Sequence, residues 1–293
     1  MDPTAICSIK PWRPIFDITF DWVIIFVVAA WTFRAHAQLG PVALLFVGNR
    51  QRALGNLLHE ASHRNLYRTR ALNDWLAAVF LAPALTSDLS LYRRLHSRHH
   101  ALLGKDGQDP DLIVPIRDVK AGWWSNYLRQ LASAENWLGS VRGHLANPRL
   151  SWRRRGLIGI WWAVFCSLLV AVNGIPFAIF FVLLWFTAKA TTFHAITMFR
   201  EMCDHFGLRP GGIYSFTRDT TTRGCWRWLI HPHNNGYHLS HHLMPSVPHY
   251  RLPAMQKLLS RLPNYARHAV VCNAYFRGGF AVIRLHSGTE EVN

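Results

Sequence analysis

Apolar residues gather into four long runs, set in two pairs. The first pair covers roughly residues 18–37 and 41–58, with the short linker Gln38-Leu39-Gly40-Pro41 between them. The second covers roughly residues 157–172 and 175–199, joined by a tight turn at Asn173-Gly174 with Pro176 just beyond. Helical runs of about 20 residues can cross a bilayer. The pattern therefore predicts two transmembrane hairpins. Two tight hairpins force the long connections, 59–156 and 200–293, onto the same side as the N-terminus. The expected fold is an all-α integral membrane protein: four transmembrane helices and a cytosolic helical cap, forming a single domain over residues 1–293.

Two features depart from clean spans. Asn49-Arg50-Gln51-Arg52 interrupts the second run. Polar groups at that depth are either paired and turned into the bundle or line a functional cavity; a helix that spans only partly is the third alternative. Between the pairs, Trp75 to Pro83 is too short to cross and reads as an interfacial or re-entrant helix. Near the C-terminus, Leu252 to Leu262 reads as an amphipathic helix on the cytosolic part.

Charge orients this arrangement. The formal net charge is +16 over 293 residues. Arg149, Arg153, Arg154 and Arg155 and most other basic residues lie on the long connections, which the positive-inside rule assigns to the cytoplasm. A basic balance can serve nucleic acid, anionic lipid or an acidic protein. The apolar runs favour the membrane surface, and with no nucleic-acid-binding motif in the chain, no nucleic-acid partner is expected. The five cysteines are scattered and make no CxxC, which fits a reducing compartment. No small-residue site follows the first apolar core, so no cleaved signal peptide is expected.

Three histidine clusters carry the chemistry: His59-Glu-Ala-Ser-His63, His96-Ser-Arg-His99-His100 and His238-Leu-Ser-His241-His242. Each has i, i+3 or i, i+4 spacing, which puts its imidazoles on one helix face. Eight imidazoles are too many for one tetrahedral zinc. They suit a pair of transition ions, and imidazole suits iron. His205, within Glu201-Met-Cys-Asp-His205-Phe-Gly207, makes a ninth. All nine fall on the predicted cytosolic side. Glu201, one turn before His205, is a candidate extra ligand. Glu60, Asp109 and His233 are candidates for orienting the imidazoles from behind, as are Asp106, Asp111, His231 and His249. His36, His144, His268 and His286 read as ordinary polar residues, and His194 as a bundle-core histidine. Taken alone, His59-Glu60-x-x-His63 is also the zinc metalloprotease signature with Glu60 as base, but that leaves two HxxHH clusters idle. A non-catalytic membrane metal-binding protein is the other alternative.

These boxes resemble those of the membrane fatty acid desaturase superfamily. The likeness rests on His59 to Tyr67, His96 to Leu112 and Tyr237 to Pro253, and on His205-Phe206-Gly207, which matches the family's histidine before an aromatic-glycine pair. It implies two irons, O2 as co-substrate, and electrons from a ferredoxin or cytochrome b5-type donor with its reductase. The substrate it implies is the long aliphatic chain of a lipid or an acyl carrier protein thioester, which is desaturated or, as the alternative, hydroxylated or taken to an acetylenic bond. Some family members carry Asn where this chain has Glu201, which leaves a tenth ligand open. No HPGG heme motif is present, so the donor is expected to be a separate protein. Arg93, Arg94, Arg98, Arg153, Arg154, Arg155, Arg218 and Arg223 would give it a basic docking face, or bind anionic lipid. The expected location is a bacterial inner membrane with the active site facing the cytoplasm.

Overall fold

The computed structural model describes residues 6–35, 39–105, 107–110 and 121–284. His36, Asp106, Asp111 and His286 lie outside them. The chain is mostly helical: α1 (Trp12–Arg34), α2 (Gly40–Ser62), α3 (Arg70–Phe80), α4 (Leu89–Leu102), α5 (Trp123–Ala132), α6 (Ala134–Arg142), α7 (Trp152–Asn173), α8 (Ile175–Ala188) and α9 (His194–His205). Shorter pieces follow: α10 (Ile213–Phe216), β1 (Arg218–Thr220), α11 (Cys225–Ile230), α12 (His238–Leu243), α13 (Leu252–Leu259), α14 (Pro263–His268) and β2 (Val270–Cys272). Two compact units emerge. A span unit holds Lys10–Arg93 and Ala134–Ile196; a box unit holds Met1–Ile9, Arg94–Ser133 and Thr197–Asn293.

Among the described residues, three helical stretches are long and apolar enough to cross a membrane: α1, α7, and the continuous Ile175–His205, which joins α8 to α9 through a π-helical turn at Lys189–Phe193. The fourth expected span, α2, has the length but not the composition. Its polar run is nevertheless satisfied inside the unit. Arg50 donates to Asp21 of α1 at 2.8 Å, Arg52 to Asn56 at 2.8 Å, and Gln51 to the Trp185 carbonyl at 2.9 Å. Of the readings open for this segment, the geometry matches the paired, inward-facing one.

The element boundaries shift for local reasons. Helix α1 starts six residues before the expected 18 because Asp17 and Asp21 point inward, Asp17 taking Arg13 at 2.9 Å, and so do not end it. Helix α7 starts at 152 because the Ser151 hydroxyl accepts the Arg154 N–H at 3.4 Å. The π turn sits where α2 comes closest. A Cβ on Gly48 would lie 2.0 Å from Thr192 Oγ1, so only glycine permits the approach. Buried Lys189 in the same turn donates to Leu85 O at 2.7 Å, Thr86 Oγ1 at 2.5 Å and Val141 O at 3.1 Å, using all three protons. The expected short helix at 75–83 forms as α3. Indoles cap the carbonyls at its end and just beyond: Trp161 on Val79 and Trp22 on Phe80, at 2.7 and 3.0 Å, and Trp162 on Pro83 in the following turn, at 3.1 Å.

The box unit is built of short elements around a parallel β1–β2 pair with Asp219 opposite Val271. One core gathers Tyr237, Leu239, Val247, Leu252, Met255, Leu259 and Tyr265. A second gathers Trp123, Phe199, Met202, Phe206, Ile230 and Tyr275. The amphipathic helix expected to Leu262 ends at Leu259, because Pro263 opens the next helix, α14.

Candidate metal centre

The second box lies on α4, where His96, His99 and His100 follow helical spacing. The third box is α12 itself, six residues carrying His238, His241 and His242. His205 closes α9. One ring nitrogen from each of His99, His205, His238 and His242 lies within 4.8 Å of the other three, and all four rings are buried. Ring nitrogens of His96, His100 and His241 gather to the same closeness. The close approaches are between Nε2 atoms: His205 to His238 at 3.0 Å, His238 to His242 at 3.1 Å, His96 to His100 at 3.0 Å and His100 to His241 at 3.3 Å.

The protonation pattern decides what such sets can hold. Nδ1 of His205 lies 2.9 Å from the Phe216 carbonyl, which only accepts, so that nitrogen carries the proton and Nε2 presents a lone pair. Nδ1 of His99 lies 2.8 Å from the Asp109 carboxylate, with the same result. Burial, reinforced by neighbouring imidazoles, holds the His238 and His242 pKa values well below the usual range, so both rings are neutral. Lone pairs of neutral rings therefore converge from several sides. That arrangement is repulsive without a cation and suited to one, and the donor type fits iron or a similar transition ion.

Behind the rings stand acids. Asp109 also accepts the Gly104 N–H at 2.9 Å, where the chain turns left-handed and a Cβ would lie 2.7 Å from the Phe216 ring. Asp204, which the sequence did not single out, is fully buried. It takes Arg200 at 2.7 Å, lies 3.3 Å from His231 Nε2, and comes within 3.8 Å of His238 Nδ1. His231 in turn meets the Tyr275 hydroxyl at 2.7 Å. Its signal was present in the sequence: a carboxylate next to the lone histidine of a box. Asp219 was also missed. From β1 it accepts the Ser240 N–H at 2.9 Å, the Ser240 hydroxyl at 2.5 Å and the Tyr265 hydroxyl at 2.5 Å, fixing α12 from its N-terminal side. Three residues in β1 gave no pattern to read.

The remaining sequence candidates are placed as follows. Glu201 is ion-paired with Arg200 and belongs to neither nitrogen set. His233, in a left-handed conformation, lies against His249 with ring centroids 5.0 Å apart. In the span unit, His59 and His63 end α2 with their rings 5.0 Å apart, and Glu60 lies 3.5 Å from His59 Nδ1. His144 accepts the Asp88 N–H at 3.1 Å, and His194 meets Ser140 at 2.8 Å, both ordinary roles. Among the arginines expected on a docking face, Arg218 is fully buried and donates to the Phe206 carbonyl. Arg155 holds the carbonyls of Leu145, Asn147 and Leu150. Neither is available to a partner; Arg94, Arg98, Arg153 and Arg223 remain exposed.

Known proteins resemble this chain. Residues 35–276 match the fatty acid desaturase family model. The dihydrorhizobitoxine desaturase of Bradyrhizobium elkanii is 25% identical, over 89% of this chain and 79% of its own. The sphingolipid delta(4)-desaturase/C4-monooxygenase DES2 of Mus musculus is 26% identical, over 84% and 73%. The delta(5) fatty acid desaturase fat-4 of Caenorhabditis elegans is 24% identical, over 90% and 67%. A family match that runs from the second helix through all three histidine boxes leaves one assignment: the chain belongs to the fatty acid desaturase family and is a membrane-bound oxidoreductase of the desaturase or desaturase-like hydroxylase kind.

Proposed function

We propose that the protein is an O2-dependent di-iron enzyme that takes hydrogen from an unactivated C–H bond of a long aliphatic chain, most simply as an acyl desaturase. The observation that carries this reading is the pair of converging lone-pair sets in the box unit. His99, His205, His238 and His242 would hold one ion. His96, His100 and His241 would contribute to the other. His59 and His63 join them by their helical spacing and by the family resemblance. Bound iron supplies the O2 activation that side chains cannot. The chain's own part is to keep every ring neutral and aimed. Asp109 and the Phe216 carbonyl hold the far nitrogens of His99 and His205, and Asp204 and Asp219 fix the helix ends that carry the third box and His205. Burial excludes water from the nitrogens. Among the described residues neither set includes a carboxylate, and Glu201 pairs with Arg200.

The same ligands serve desaturation and hydroxylation, and the mouse relative's name carries both activities. We further propose four crossings with both termini and the boxes in the cytoplasm of a bacterial cell, the whole chain acting as one domain. The electron donor is a separate acidic ferredoxin or cytochrome b5-type protein with its reductase. The substrate is a lipid or a carrier-bound acyl chain. Expression in a lipid-analysed host with a reductase supplied tests the reading. Products lighter by two hydrogens mean desaturation, and products heavier by one oxygen mean hydroxylation. An unchanged lipid pool in cells that hold iron-loaded protein, or cleavage of peptide substrates, would overturn it.

A further inference from the structure

The box unit carries an exposed face that its core does not explain. Trp124 and Leu128 of α5, Trp226 and Trp228 of α11, and Phe280 are 50, 59, 49, 37 and 63% exposed. These are large apolar side chains, and two of them, Trp124 and Trp226, are joined through Phe276. Phe276 stacks on Trp124 with planes 2° apart and centroids 6.3 Å apart, and meets Trp226 at 4.9 Å. Arg129, Arg223 and Arg277 are exposed in and beside the same segments, while residues 123–132, 225–230 and 273–280 contain no Asp or Glu. Exposed aromatics clustered with arginine and without acid are what a protein presents to the headgroup layer, where indole sits at the boundary and guanidinium meets phosphate.

This face begins against a buried ring, Phe199. Phe276, Trp124 and Tyr127 pack on Phe199 at 5.7, 6.1 and 5.4 Å. Phe199 lies on the C-terminal part of Ile175–His205, one of the three stretches apolar enough to cross a membrane. The aromatic patch is therefore anchored on the C-terminal end of that stretch.

We propose that this face is a second membrane contact, lying in the headgroup layer of an anionic leaflet. Trp124, Leu128, Trp226, Trp228 and Phe280 enter the acyl boundary, and Arg129, Arg223 and Arg277 meet lipid phosphate. Cys225, exposed at the start of α11, gives a natural probe. The full chain, with Cys7 and Cys166 replaced by serine, would carry a nitroxide at Cys225. It would be compared in nanodiscs of phosphatidylcholine alone and with phosphatidylglycerol added. Relaxation by O2 and by a water-soluble nickel chelate reads depth. The expected result is strong O2 and weak nickel relaxation, with nickel access falling further when anionic lipid is added. The anionic-lipid response should vanish in Arg129→Glu/Arg277→Glu but persist in the control Arg261→Glu. Phe280→Asp, in a loop outside the helices, should raise nickel access with helicity unchanged. Free nickel access in both lipids would overturn the proposal. So would shielding that appears only when an acidic electron-transfer protein is added, which would assign the face to that protein.

Discussion

Asp219→Ala isolates what holds the third box in place. The wild-type carboxylate is the shared acceptor for the Ser240 N–H, the Ser240 hydroxyl and the Tyr265 hydroxyl. Leaving a buried donor unmade costs about 1–3 kcal/mol, so three cost roughly 3–9 kcal/mol. An opposing effect reduces this. Burial pushes the Asp219 carboxyl up to about 6 from 3.8, and at ~1.4 kcal/mol per pKa unit the ionised form already carries a cost of about 3 kcal/mol at neutral pH. The expected net loss is about 3 kcal/mol, concentrated on α12. Because the folded-state pKa is raised, the stabilisation from the protonated form is full below 3.8 and is lost as pH rises through about 6. The stability gap between wild type and Asp219→Ala should therefore widen on mild acidification. Iron retention against a graded chelator is the assay, and loss of an orienting partner typically costs 10–100-fold in metal affinity. Asp219→Asn keeps an oxygen acceptor without the charge and should fall in between. An alanine variant that retains iron as tightly as wild type would refute the reasoning.

Three further outcomes are expected. Purified protein should hold close to two irons per chain, and His99→Ala or His241→Ala should lose metal and activity together; stoichiometric zinc with full activity would sink the di-iron reading. Reporter fusions at residue 120 and at the C-terminus should report the same face of the membrane, and opposite faces would rule out four crossings. Charge reversal of Arg94, Arg98 and Arg153 should slow turnover with a protein donor while sparing turnover driven by peroxide or a small reductant. Arg155→Glu should lose both, since its guanidinium holds three backbone carbonyls.

What the sequence disclosed followed from how each signal is encoded. The boxes were legible because helical spacing and residue type together specify a ligand face, and Asp109 because it sits in an acid-rich loop nearby. The apolar runs were legible as elements, but charge misled their limits. Asp17 and Asp21 look like helix ends in a hydropathy profile and become interior groups once Arg13 and Arg50 reach them. Arg218 looked like surface charge for the converse reason: its burial is set by a two-stranded pairing between segments some 50 residues apart in sequence, which local pattern does not reveal. Asp219 stayed hidden because its partners, Ser240 and Tyr265, come from elements distant in the chain, whereas Asp204 was marked only by its place beside His205.

The indole caps on α3 restrict which substitutions that helix end tolerates. Trp22, Trp161 and Trp162 read as interchangeable apolar bulk in any composition profile, yet each spends its single proton on a carbonyl at the end of one short helix or in the turn that follows it. Phenylalanine would preserve the packing and abandon the carbonyl. A carbonyl shielded from water and left without that proton costs about 1–3 kcal/mol. Drift at these three sites should thus be confined to side chains that can donate a hydrogen bond, and a lineage that lost one tryptophan would need a new donor, or a shorter α3, to stay folded.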